Sequence, residues 1–361
     1  MTNSPNPRPM KFSAFLLFHR PDRNKSIKEV YDYNIRVAEL LEELGFDGAW
    51  VSEHHFRDYG TVPSLFTMLG YLAGRTENLR LGTGVVVLPL HNPIHVAEQA
   101  AQLDVMSNGR VDLGLGRGYQ SIEFDGHGMD LSEARDRFDE GLDLMLGLFN
   151  NETYRHEGKF YKSGDAELSP RPIQDPHPPI YVAAVSPETV ERYAARGLPI
   201  LADPAAPFKK VHQAADTWHR IAAENGHDAA NTDLVVSRSV WLADSVEQAK
   251  ADQARFEASF DRARIFNEKS APIDSKTGET AKGFEFWEGR YLKGGEVGND
   301  FRWEQLEVIG DPKRVIGQVA MLQEFGFNHL MCDFGSTRHV PFEEMKKAIT
   351  FFAKEVMPAF R

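Results

Sequence analysis

Glu53, His54 and His55 set a carboxylate and two imidazoles side by side at the end of an apolar run, Phe46 to Ser52. Imidazole changes charge near neutral pH, so either histidine offers a general base or a hydrogen-bond donor to a bound intermediate. Each equally reads as a cap on a sheet or as a subunit contact. A metal centre is not expected, because neighbouring residues of a strand face opposite ways and no third histidine or carboxylate stands at an evident ligand spacing. A second constellation suits an anion. Arg117 lies among small residues in Gly114-Leu115-Gly116-Arg117-Gly118-Tyr119, and Ser186-Pro187 opens a helix with Thr189 in its first turn. A helix N-terminus presents free N–H groups to an anion, and a guanidinium clamps phosphate bidentately. Ser186 also reads as an ordinary N-cap. The sequence GLGRG lacks the full dinucleotide fingerprint, and there is no Walker-type lysine loop.

These residues fall at the ends of short apolar strands alternating with amphipathic helices. The stretch from Arg80 to Glu123 shows the unit: Leu81 to Leu88 as a strand buried on both faces, a helix opened by Asn92-Pro93 and closed by Asn108-Gly109, then a strand from Val111 to Leu115. Further strands are expected at Phe12 to Phe18, Phe46 to Ser52, Ile180 to Val185, Ile200 to Ala202, Leu234 to Leu242 and His329 to Phe334. Helices are expected from Ile27 to Leu44, Leu65 to Leu72, Ser132 to Phe149, near Val211 to Ala223, from Val246 towards Phe260, at Pro312 to Phe325 and at Phe342 to Val356. Eight such units in this order predict a TIM (β/α)8 barrel, whose chemistry sits at the C-terminal ends of its strands. The rhythm fails between Lys269 and Asn299, a charged, Gly-rich insertion after strand seven that reads as a mobile lid or as disorder. Residues 1–9 read as a disordered polar tail and 10–361 as one domain.

Composition narrows the class. The 361 residues carry a net charge of −12, which argues against a nucleic-acid partner, since affinity for phosphate backbones comes from clustered Lys and Arg. The single cysteine, Cys332, fits a reducing compartment, and the polar tail and the lack of a run near ~20 apolar residues point to a cytoplasmic protein without a membrane anchor.

The chain resembles the bacterial luciferase-like flavin-dependent monooxygenases, and is especially similar to luciferase alpha-type chains. The resemblance rests on Phe12 to Leu17, Gly45-Phe46-Asp47 leading to Glu53-His54-His55-Phe56, Gly82-Thr83, Val87-Leu88-Pro89, Asn92-Pro93, Leu103 to Arg110, Arg117-Gly118, Ser186, Gly197-Leu198-Pro199 and Lys282-Gly283-Phe284. It runs in order from about residue 10 to 199 and more loosely to Pro358.

The resemblance implies a catalytic role for His54 beside a flavin, and FMN phosphate held by Arg117, Ser186 and Thr189. It implies a non-proline cis peptide between Gly84 and Val85 beneath the flavin ring, and pairing of His55 and Glu98 across a homodimer or heterodimer interface. The implied reaction takes reduced FMN from a separate reductase, forms a C4a-peroxyflavin with O2 and oxygenates a small, largely apolar aldehyde, ketone or hydrocarbon. The alternatives are an F420-dependent oxidoreductase on the same barrel and a non-catalytic flavin-binding subunit. Three departures stand out: Gly116 where luciferase chains have a reactive cysteine, Val185 for the glutamate of the phosphate site, and Pro204 for an aromatic residue near the flavin.

Overall fold

The computed structural model describes residues 8–335 and 340–361, apart from 21, 185, 203, 259–270, 272, 274–276 and 281–298. Its strands are β1 (Lys11–Leu16), β2 (Gly48–Val51), β3 (Arg80–Thr83), β4 (Val86–Val87), β5 (Val111–Gly116), β6 (Tyr154–Glu157), β7 (Lys162–Ala166), β8 (Ile180–Ala184), β9 (Ile200–Ala202), β10 (Val235–Leu242), β11 (Val308–Gly310) and β12 (His329–Asp333). The helices are α1 (Ile27–Glu43), α2 (Leu65–Ala73), α3 (Pro93–Met106), α4 (Ser121–Gly126), α5 (Ala134–Asn150), α6 (Pro187–Ala194), α7 (Phe208–Glu224), α8 (Val246–Ala258), α9 (Asn299–Gln305), α10 (Pro312–Glu324) and α11 (Phe342–Glu355). The fold is the expected TIM barrel, with β1, β2, β3, β5, β8, β9, β10 and β12 as its strands in chain order.

Local chemistry explains where the elements begin and end. Ser26 and Glu29 form a reciprocal capping box that starts α1, and Gly45, at φ +75°, takes the left-handed position that ends it. Asn92 caps α3 by accepting from the Ile94 N–H, with Pro93 in the first turn. Val30, Val37 and Leu41 bury one side of α1, whereas all six residues of β5 are buried, as a strand covered on both faces requires.

Contacts group the chain into two units. The first comprises residues 1–50, 181–260 and 297–361; here β1 and β10 both pair in parallel with β12, β10 also pairs with β9 and β11, and β8 pairs with β9. Asp233 anchors the start of its first strand by accepting from Arg8 and Lys11 at 2.5 Å each. The second comprises residues 51–180 and 261–296, with β3 and β4 both parallel to β5.

The second unit departs from expectation in two places. The single strand expected over Leu81 to Leu88 is two short strands and a 3-10 turn, Leu88–Leu90, interrupted at Gly84–Val85, whose peptide bond is cis. Polar residues 154–166 form an antiparallel hairpin, β6 and β7, that carries no continuous buried face. The Pro-rich link over 169–179 contains cis bonds at Ser169-Pro170 and Asp175-Pro176 and is tied down by Asp104. This buried carboxylate accepts from the backbone N–H groups of Ile173 and Gln174 at 2.9 and 3.0 Å and from the Gln174 side chain at 2.6 Å. Most of the expected lid, 269–299, lies outside the described residues. Within it Ile273 bridges Thr280, and the Ala271 carbonyl accepts from the Ser121 N–H at 3.4 Å. Among the described residues no helix is long and apolar enough to cross a membrane.

Candidate active site

His54 and His55 follow β2 within a few residues, and their side chains meet different partners. His54 Nδ1 lies 2.9 Å from Glu123 Oε1 and 3.0 Å from the Gln120 side-chain nitrogen. Both cannot be hydrogen bonds of one neutral tautomer. Arg57 donates to Gln120 Oε1 at 2.6 Å, which turns the Gln120 NH2 towards the ring. Glu123 also accepts the His55 backbone N–H at 3.1 Å, so its carboxylate is surrounded by donors. We therefore assign the proton to Nδ1, donating to Glu123, which leaves the lone pair on Nε2. The tilted Tyr59 ring lies 4.9 Å from the His54 ring, and a Cβ on Gly60 would come within 2.5 Å of His54 Cδ2. Gly60, at φ +70°, is thus the residue that gives the imidazole its room.

His55 points elsewhere. Its Nε2 is 2.8 Å from Glu53 Oε1, and the same oxygen lies 2.7 Å from His91 Nε2. Glu53 Oε2 accepts the Val87 N–H at 3.1 Å. Burial pushes the Glu53 carboxyl up, but the hydrogen bonds and charges of His55 and His91 outweigh it and bring its pKa down to about 2. Burial acts on His91 in the opposite sense, towards the neutral form, and Glu53 again prevails, so that the pKa of His91 is raised. Sequence spacing showed no third ligand beside the Glu53-His55 pair. In space His91, 38 residues on, is one, and the three form a group whose ligand atoms all lie within 4.8 Å of one another.

The remaining candidates fall in both units. Gly84 and Val85 are half-buried between fully buried neighbours, and Gly84 N donates to the Val51 carbonyl at 2.7 Å. Arg117 is half-buried in the loop between β5 and α4. Ser186 caps α6 by accepting from the Thr189 N–H at 3.3 Å, and the two hydroxyls lie 2.8 Å apart. Whichever hydroxyl donates, the hydrogen of the other is left over for a ligand. Glu98 is exposed on α3. Val185 lies outside the described residues. Pro204, which stands for the expected aromatic residue, lends its carbonyl to the buried Arg238 at 3.2 Å, and Arg238 holds the Ala206 carbonyl at 2.9 Å. Glu123, Gln120 and His91 are site residues that sequence reasoning did not single out.

A TIM barrel with a histidine seated on a buried carboxylate just after its second strand has the layout of a barrel enzyme. The chain belongs to the luciferase-like monooxygenase family, whose model matches residues 10–329. It is 28% identical over 361 residues to the oxygenase component of flavin-dependent trigonelline monooxygenase from Acinetobacter baylyi, covering 97% of this chain and 96% of that protein. It is 29% identical over 357 residues to the alkanal monooxygenase alpha chain of the Kryptophanaron alfredi symbiont, covering 97% and 98%. Among solved structures it resembles the monooxygenase RslO1 from Streptomyces bottropensis, with a TM-score of 0.80 at 26% identity over 98% of this chain and 100% of that one.

Proposed function

We propose that the chain is the oxygenase of a two-component monooxygenase. It takes reduced FMN from a separate reductase and uses O2 to place one oxygen atom on a small, largely apolar aldehyde, ketone or hydrocarbon. The observation that carries this reading is the His54–Glu123 pair, found in a chain similar over nearly its whole length to the oxygenase component of a flavin-dependent monooxygenase.

The residues present fit FMN. A phosphate calls for a cation and hydroxyl donors, and Arg117, Ser186 and Thr189 have that chemistry. The acidic Glu188 in the first turn of α6 opposes an anion at that helix end. The Gly84–Val85 backbone, half-buried where a glycine lacks a side chain, suits the floor of a flat ring. When bound, reduced flavin supplies the electrons that activate O2. His54 offers its Nε2 lone pair to accept a proton or, once protonated, to donate a hydrogen bond. Glu123 fixes the tautomer, and Arg57 holds Gln120 in place beside the same ring. The exchange of an aromatic residue for Pro204 changes the shape of the substrate pocket, so the substrate need not be a long-chain aldehyde.

Anaerobic titration of the purified chain tests the reading. Reduced FMN binds, and Arg117→Ala weakens it roughly 10- to 100-fold, the worth of a charge-assisted contact. His54→Ala leaves that affinity nearly unchanged while turnover with reductase and NADH falls by about 10²–10⁴. Binding of reduced F420 with none of reduced FMN overturns the cofactor, and normal turnover in His54→Ala overturns the assignment of the base.

A further inference from the structure

Beside the proposed active site lies a second arrangement that the oxygenation chemistry does not use. We infer that Glu53, His55 and His91 form a binding site for a single divalent transition-metal ion of the zinc type, with two imidazole nitrogens and one carboxylate oxygen as ligands. The inference does not rest on the flavin reading.

Three observations carry it. First, both imidazoles present the same nitrogen, Nε2, to one carboxylate oxygen, at 2.8 and 2.7 Å, and the three ligand atoms all lie within 4.8 Å of one another. Two ring nitrogens and a carboxylate are the borderline donor set that zinc takes in sites with an open fourth position. Second, the ligands are held from behind. The Val87 N–H occupies Glu53 Oε2, so the carboxylate presents Oε1, and the His127 ring meets the His55 ring edge to face at 4.6 Å. His127 is itself fixed by its Nδ1, 2.9 Å from the Glu123 carbonyl. Such outer contacts orient metal ligands. Third, the access is graded: the side chain of Glu53 is 2% exposed, that of His55 10% and that of His91 32%, so an ion enters past His91 and meets the charge at the bottom.

Geometry sets the required adjustment. Bonds of about 2.0–2.1 Å in a tetrahedron place ligand atoms about 3.3 Å apart. The imidazoles therefore retreat by roughly half an ångström from Glu53 as the ion takes the place of the shared hydrogens. His91 follows the short 3-10 turn Leu88–Leu90 and is only half-buried, so it has room to do so. Two neutral imidazoles and one carboxylate leave the bound dication with net charge +1, and the fourth position is left for water or an anion.

The test uses the full-length, chelator-treated, flavin-free chain with Zn2+ in equilibrium dialysis, and Co2+ as a spectroscopic probe of the same site. The expected result is one ion per chain, visible d–d bands of low-symmetry Co2+ and a rise in melting temperature with Zn2+. His91→Ala and Glu53→Gln lose at least about tenfold in affinity, whereas His95→Ala, on the exposed face of α3, retains it. Failure to retain an ion at about micromolar free Zn2+, or affinity unchanged in both ligand variants, overturns the site and leaves a hydrogen-bonded cluster only. If Glu53→Gln does not fold, His91→Ala, with its partly exposed side chain, decides the matter. Zinc binding without FMN binding sinks the proposed function and spares this inference. The reverse outcome does the opposite.

Discussion

His54 and His55 are joined by one peptide bond, yet they belong to two pockets built on different plans. Around His54 the carboxylate of Glu123 receives one imidazole and one backbone N–H, and the amide of Gln120 and the guanidinium of Arg57 close the chain of contacts. Around His55 a single oxygen of Glu53 is shared by two imidazoles, and the other oxygen is held by the Val87 backbone. The first plan fixes which nitrogen of one ring carries the proton, which is what a base requires. The second concentrates a buried charge and balances it from several sides, which bears on stability and on cations. Two like residues in sequence thus acquire unlike duties from the carboxylate each one meets.

Substitutions can break this contrast. The largest expected effect is on the Glu53 side: Glu53→Gln removes the charge that two imidazoles were placed to meet and costs about 3 kcal/mol, read as a lower denaturation midpoint. An unchanged midpoint would remove the structural role of this pocket. Glu123→Gln should instead leave stability within about 1–2 kcal/mol while lowering kcat by roughly 10- to 100-fold and displacing the acid limb of its pH profile. Glu123→Asp should recover part of that loss, whereas a merely structural role for Glu123 would move the melting temperature and leave the profile in place.

The smallest effect is a pH window, measured with chelator present. The Glu53 carboxyl lies below its ordinary 4.5, so its contribution is complete above that value and is lost as pH falls towards about 2. His91 is raised above 6.5, so its contribution is complete below 6.5 and fades as pH rises through the raised value. The stability gap between the native chain and His91→Gln should therefore be widest between about pH 4.5 and 6.5, where both contributions are complete, and narrow as pH rises through the raised value of His91. With His91 partly exposed, the gap stays below about 1 kcal/mol. A gap that grows towards alkaline pH contradicts the pairing.

The barrel was legible in the sequence wherever the governing signals are local. Gly45 ends α1, Asn92-Pro93 starts α3, and Ser186-Pro187 starts α6, because caps and left-handed turns are decided within a few residues. The break at Gly84–Val85 was hidden inside an apolar run that reads as one strand. The β6–β7 hairpin was missed because its residues bury little, and β11 because three residues carry no period. The candidate site was half legible: the histidines announce themselves, but their partners Glu123 and His91 stand 69 and 38 residues from them or their neighbour. Glu123 sits in a six-residue helix where a glutamate reads as solvated. The available hint was its place beside Phe124, within a few residues of Arg117.

The Asp104 carboxylate that gathers the backbone of Ile173 and Gln174 has a practical consequence for handling this protein. By composition, the prolines and polar residues over 169–179 advertise a cut site for a protease. A protease must draw several residues of extended chain into its cleft, and here the middle of the segment is fastened to the end of α3, with the Gln174 side chain bound in addition to the Val111 carbonyl at 2.9 Å and to Arg80 at 3.2 Å. Limited digestion should therefore pass over this segment in the native chain. Asp104→Ala should open it, releasing fragments that divide the chain between the hairpin and β8.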